Sequence, residues 1–190
     1  MGAYEHVIVL LSFVYALALT HLLSRMGGLL VARKRVRFSG LLALAQANAI
    51  WMVFENWLYL WNLHGIQSWS VAAITFEFAF AASLYLLCTL CAPEAAAEGR
   101  IDMEAFYGEQ RRPYYATALT MQAIGVADLI FYSTNSASGV AIHDVGVTAL
   151  LTLPTLLAML VSARWAQWAG GAILLLMNAT WAFLFVGGLH

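Results

Sequence analysis

Six runs of about twenty predominantly apolar residues, separated by short polar segments, take up most of this 190-residue sequence. At about 1.5 Å per residue, a helix of that length crosses a hydrocarbon core about 30 Å thick. The expected fold class is therefore an all-α membrane protein, a bundle of six transmembrane helices forming a single domain over residues 1–190. The spans fall at about 6–25, 40–63, 69–91, 113–134, 144–163 and 166–187. Composition agrees: 63% of residues are hydrophobic and 10% charged, against roughly 45–50% and about 25% in a soluble domain. The first run begins near Val7 with neither a basic leader nor an A-x-A cleavage pattern, so it reads as a retained helix and not as a signal peptide.

Glycines and prolines punctuate the runs. Gly27-Gly28 is expected to follow the first span, Gly65 to end the second, Pro93 to stop the third, Pro113 to open the fourth and Gly187-Gly188 to close the sixth. Asp144 is placed to cap the fifth helix, where its carboxylate complements the helix dipole. Pro154 lies mid-span and should kink that helix.

Every basic residue (Arg25, Arg33, Lys34, Arg35, Arg37, Arg100, Arg111, Arg112 and Arg164) falls in the first, third or fifth loop of this scheme. Lys and Arg near span ends mark the cytoplasmic side, so both termini are expected on the non-cytoplasmic side of a bacterial-type plasma membrane. Trp57, Trp61 and Trp69 at the outer boundary, and Trp165 and Trp168 at the inner one, fit interfacial aromatic belts. A net charge of −1 gives no concentrated basic surface for nucleic acid. The cytoplasmic loop 94–112 is the longest polar stretch and has room for a short surface helix. It divides the chain into three helices plus three, which invites comparison with inverted-repeat transporters. The one internal match, Asn48-Ala-Ile-Trp51 with Asn178-Ala-Thr-Trp181, pairs the second span with the sixth, which that scheme does not predict.

Glu55, Glu77 and Asp128 lie within spans that contain no Lys or Arg to neutralise them. An ionised carboxylate at the bilayer centre costs roughly 2.5–3.5 kcal/mol even on insertion scales, so these acids must be protonated, hydrated or bound to a cation. Counted from the outer helix ends, all three lie at a depth of about 9–12 Å. Asn48, Glu55 and Asn62 repeat at seven residues, with Trp51 and Tyr59 between them, which makes one face of the second helix polar. Tyr15, Gln122, Tyr132 and Asn178 complete a candidate polar lining, with Ser12 beside Tyr15.

Other groups carry weaker signals. His6, His64, His143 and His190 lie at the outer surface with Glu5 and Asp144. A rim of His6, His64, His143 and Asp144 suits a pH sensor or a divalent metal in residue type but lacks the tight spacing of a metal motif, so no metal site is expected. His21 lies at a depth similar to that of Cys88 and Cys91, yet zinc needs a fourth ligand and bis-histidine haem a second deep histidine. No cofactor can be assigned. Arg33, Lys34, Arg35 and Arg37 serve topology by default and anionic lipid contact as an alternative. Nucleotide-binding and serine-hydrolase motifs are absent.

The leading expectation is a small channel or transporter for protons, cations or a coupled substrate, with Glu55, Glu77 and Asp128 as its site and no catalytic residues. Two alternatives stand beside it: a membrane metal, haem or quinone redox protein, and a non-catalytic membrane subunit or sensor. Small residues four apart, Ala79 with Ser83 and Ala166 with Gly170, suit close helix packing either in a homo-oligomer or within one bundle.

Overall fold

The computed structural model describes residues 3–65, 69–95, 99–135 and 142–183. These contain six α-helices: α1 (Ala3–Val31), α2 (Gly40–Tyr59), α3 (Val71–Leu90), α4 (Met103–Asn135), α5 (Ile142–Leu160) and α6 (Arg164–Trp181). Two-residue strands, β1 (Val36–Arg37) and β2 (Ile101–Asp102), pair in parallel, with Val36 opposite Ile101 and Arg37 opposite Asp102. Short 3-10 helices cover Arg33–Arg35, one turn, and Leu60–Gly65, two turns.

Serines start two of the helices. The Ser39 hydroxyl accepts from the Leu42 N–H at 3.4 Å and opens α2, and Ser70 accepts from Ala73 at 3.1 Å and opens α3. Asp102 caps α4 through Oδ1, which accepts from the backbone N–H groups of Glu104 at 2.9 Å and Ala105 at 3.1 Å.

The helices close a ring. α1 packs on α3, α3 on α4, α4 on α5, α5 on α6, α6 on α2, and α2 returns to α1. α2 also touches α3 and α4, so it leans toward the middle of the bundle. Small residues permit the close crossings: a Cβ on Gly170 would come within 2.7 Å of the Pro154 carbonyl oxygen and 2.8 Å of the Ala158 Cβ, which seats α6 directly on the α5 backbone. Gly170 is therefore used inside the bundle.

Ion pairs gather the odd-numbered loops at one end. Arg25, late in α1, meets Glu94 beyond α3 at 2.8 Å. Arg37, before α2, meets Asp102 at 2.9 Å and Glu104 at 3.4 Å, and Arg164, opening α6, meets the same Glu104 at 2.8 Å. Arg111 on α4 donates to the Val161 carbonyl beyond α5 at 2.8 Å. Consecutive helices thus run up and down.

Three boundaries differ from the sequence expectation. α1 does not end at Gly27-Gly28 but continues to Val31. The glycine serves close approach, since a Cβ on Gly28 would lie 3.2 Å from the Ala95 Cβ. The fourth helix opens at Met103 and carries Pro113 inside it. Proline removes only one i→i−4 bond, and the Asp102 cap with the helix-forming residues after it is enough to start the helix earlier. α5 begins at Ile142, which puts Asp144 inside its first turn and not at the cap. Pro154 is interior to α5 as expected, while Gly187-Gly188 lies outside the described residues.

The surface inverts the usual arrangement. Phe13, Phe54, Phe78, Ile130, Leu153 and Leu176, one on each helix, are exposed, whereas Gln46, Asn48, Glu55, Glu77, Gln122 and Asn178 are buried. Among the described residues, Tyr4–Val31 and Val71–Leu90 are long and apolar enough to cross a membrane, and Leu150–Leu160 is a shorter apolar helix.

Candidate functional site

Helical periodicity points the acids inward. On α3 the buried stripe is Ala73, Glu77, Ala81, Leu84 and Cys88, and on α1 it includes Leu11, Tyr15, Ala18 and Leu22. Glu77 and Tyr15 occupy positions that would otherwise hold core hydrophobes. On α4 the stripe through Tyr114, Ala118 and Met121 continues to Gly125 and the half-buried Asp128.

Gly125 sets the spacing between α3 and α4. A Cβ there would lie 3.5 Å from the Phe80 ring, so the two helices approach closely at this level. Because they run antiparallel, the turn beyond Gly125 meets the turn before Phe80, and Asp128 comes within electrostatic reach of Glu77. Tyr15 from α1 lies within reach of both Glu77 and Tyr59, the last residue of α2. Four helices thus contribute to one cluster of two carboxyls and two phenols. Glu55 is buried one turn before Tyr59, and no charged group among the described residues acts on it. Glu77 and Asp128 therefore act on each other, whereas burial alone acts on Glu55.

Several polar atoms in this region have no hydrogen-bond partner. Glu55 Oε2 and Asp128 Oδ1 are buried without one, as are Asn48 Oδ1, Trp51 Nε1 and Gln122 Oε1. Asn48, Trp51 and Glu55 stand three and four residues apart, so their orphaned atoms line one face of α2. Buried polar groups are rarely left so, and a row of them is an address for water or a polar ligand.

The other lining residues have structural bonds. Asn48 Nδ2 donates to the Leu44 and Gly171 carbonyls, both at 3.0 Å, and so joins α2 to α6. Gln122 Nε2 donates to Thr155 Oγ1 at 3.0 Å and to the Leu151 carbonyl at 3.4 Å, beside Pro154 on α5. Asn178 bonds its own helix, at Leu174 O, 2.8 Å away. The side chains of Asn62, Tyr132, His143 and Asp144 lie outside the described residues.

The histidines and cysteines stand apart. His6 is exposed near the start of α1, and the His64 ring meets Tyr4 edge to face at 5.2 Å between centroids. His21 lies 6.0 Å from the Tyr85 ring, and the buried Cys91 thiol donates to the Cys88 carbonyl at 3.4 Å. Among the described residues no three of His, Cys, Asp and Glu gather as a metal-ready group.

Sequence reasoning passed over Gln46, whose Nε2 donates to the Cys91 carbonyl at 2.9 Å, and Thr155. An amide in mid-run was the available signal for the first. It used Tyr59 only as part of a polar face, although its position one turn from Glu55 was legible. Gly125 carried no sequence signal, because its role is a distance between two helices.

Chemically, two neighbouring carboxyls, one buried and one half-buried, without a fixed cation can share a proton or capture a cation, and phenols beside them can donate or relay hydrogen bonds. Comparison with protein-family profiles, with curated proteins and with solved structures finds no match to this chain.

Proposed function

We propose that the chain is a six-span protein of a bacterial-type plasma membrane, with both termini on the non-cytoplasmic side, that moves protons or cations, or a substrate coupled to them. Glu77 and Asp128 form its central binding pair, and Glu55 is a second protonation group on the same route.

Three features support the membrane reading. Large apolar side chains face outward on all six helices. α2, α3, α5 and α6 have 20, 20, 19 and 18 residues, or about 27–30 Å of helix each, the thickness of a hydrocarbon core. The basic residues meet at one end of the bundle, as a positive-inside orientation requires.

The observation that carries the transport reading is the Glu77–Asp128 pair with Tyr15, built from separate helices and remote from every Lys and Arg. Ionisable groups inside a membrane bundle are costly and mark proton or ion pathways. The orphaned row Asn48, Trp51 and Glu55 extends the polar route along α2.

Reconstitution in proteoliposomes tests it. Under an imposed membrane potential, the wild-type protein should acidify or alkalinise the lumen in a pH-dependent way, or pass a tracer cation. Glu77→Gln should lower that flux about a hundredfold or more, the range that loss of a positioned proton-transfer group produces. Equal flux from the variant and the wild type would remove the pair from the mechanism.

A further inference from the structure

We infer that the basic turn after α1 is a binding site for the anionic headgroup of a phospholipid in the leaflet at the arginine-rich end of the bundle. The inference rests on the membrane reading but not on the acids being a transport site.

A groove of about 630 Å³ opens beside the C-terminus of α1, lined by Gly28, Val31, Ala32 and the successive bases Arg33, Lys34 and Arg35. A phosphodiester headgroup is smaller than this space. Gly28 and Ala95 both line it, and a Cβ on Gly28 would lie 3.2 Å from the Ala95 Cβ, so α1 and the segment that follows α3 approach closely here. The 3-10 turn at Arg33–Arg35 fans successive side chains around its axis, so the bases flank the groove from more than one side.

Two bases of this site, Arg33 and Lys34, stand apart from the ion pairs that hold the bundle end. Arg25, Arg37 and Arg164 are each held by acids, and Arg111 by a carbonyl. Arg35 is anchored through Nη1 to the Gly99 carbonyl at 3.3 Å. Arg33 and Lys34 are exposed and make no ion pair with a described residue. Glu94, which precedes Ala95 in sequence, is held by Arg25 at 2.8 Å.

The apolar surroundings distinguish a lipid from a free anion. Leu30, Val31 and Phe38 are exposed at 68%, 86% and 69%, immediately before and after the basic turn. A headgroup seated at Arg33 and Lys34 would lay its acyl chains along Leu30 and Val31, while the long basic side chains reach to the interface. Inorganic phosphate would use only the charges.

The test uses the purified full chain in neutral detergent and reads thermal unfolding and lipid retention in native mass spectrometry. The probes are a short-chain phosphatidylglycerol, phosphatidylcholine with the same chains, and inorganic phosphate. Phosphatidylglycerol should raise the unfolding midpoint and stay bound, and the other two should do neither. Lys34→Gln, which keeps three neighbouring bases for topology, should weaken retention about fivefold, and the Arg33→Gln/Lys34→Gln pair about 25-fold, from about 1 kcal/mol per base. Arg112→Gln removes the same charge elsewhere on this end and should leave retention unchanged.

Equal binding of the two lipids, or equal loss with Arg112→Gln, would overturn the site in favour of diffuse attraction. The same stabilisation by phosphate alone would overturn the lipid and leave an anion site. Specific lipid retention in a protein whose Glu77→Gln variant has normal flux would uphold this site while the transport reading falls.

Discussion

Asp128 on α4 lies within electrostatic reach of Glu77 on α3, one turn from the place where Gly125 lets the Phe80 ring approach its helix. The pairing is a matter of register between two antiparallel helices, and a slip of one residue on either would turn one acid about 100° away.

Two acids that share one proton or ion act as a unit, and units are non-additive. Asp128→Asn should therefore reproduce the flux loss of Glu77→Gln, and the double variant should be no worse than either single one. Glu55→Gln, acting from a separate position, should add to them. Liposome flux assays on the three single variants, the Glu77/Asp128 double variant and a Glu55/Glu77 double variant check this, and strictly multiplicative losses for Glu77 and Asp128 would show that they work independently.

Adjacent glycines on α6 should respond differently to the same change. Gly170→Ala drives a methyl into the Pro154 carbonyl and Ala158, backbone and a short side chain that cannot swing aside. Overpacking costs about 1–3 kcal/mol, less about 1 kcal/mol gained in helix propensity. Gly171→Ala meets the Leu44 side chain, whose Cδ2 would lie 2.7 Å away and can rotate. Unfolding in mixed micelles should show Gly170→Ala destabilised by roughly 1 kcal/mol and Gly171→Ala near wild type.

The network at the basic end predicts an acid limit. The Asp102 carboxyl is held below the usual carboxylate range, first by the Ala105 N–H and also by the Arg37 guanidinium and the Glu104 N–H. A carboxyl depressed on folding contributes stability above its unfolded value, about 3.9, and loses it as pH falls through the folded value. The unfolding midpoint of wild type minus that of Asp102→Asn should be flat from about pH 5 to 8 and shrink below about pH 4. A difference that persists at pH 3 would mean that the carboxylate charge is not what the folded state uses.

Cys88 and Cys91 are almost wholly inaccessible, at 0% and 1% exposure. Membrane-permeant maleimides should label neither in the folded protein within hours and both at once after denaturation. Rapid labelling of folded protein would show that the end of α3 opens.

The six helical runs and the gathering of basic residues at one end were legible from sequence alone, because run length and charge sign are local properties that survive without knowing any neighbour. The positions of Glu55, Glu77 and Asp128 were equally plain. Which of them meet was not. Shared depth grouped all three, but depth fixes one coordinate and leaves the facing direction of each helix open. Helix ends were misjudged where a single glycine or proline was given more weight than the contacts around it, as at Gly28 and Pro113. Only the tertiary structure closed the ring with α2 near its centre, matched Gly125 to Phe80 and left Glu55 apart. The reason is that helix neighbours in space are chosen by the fit of whole faces, and no residue's identity records which face will lie opposite.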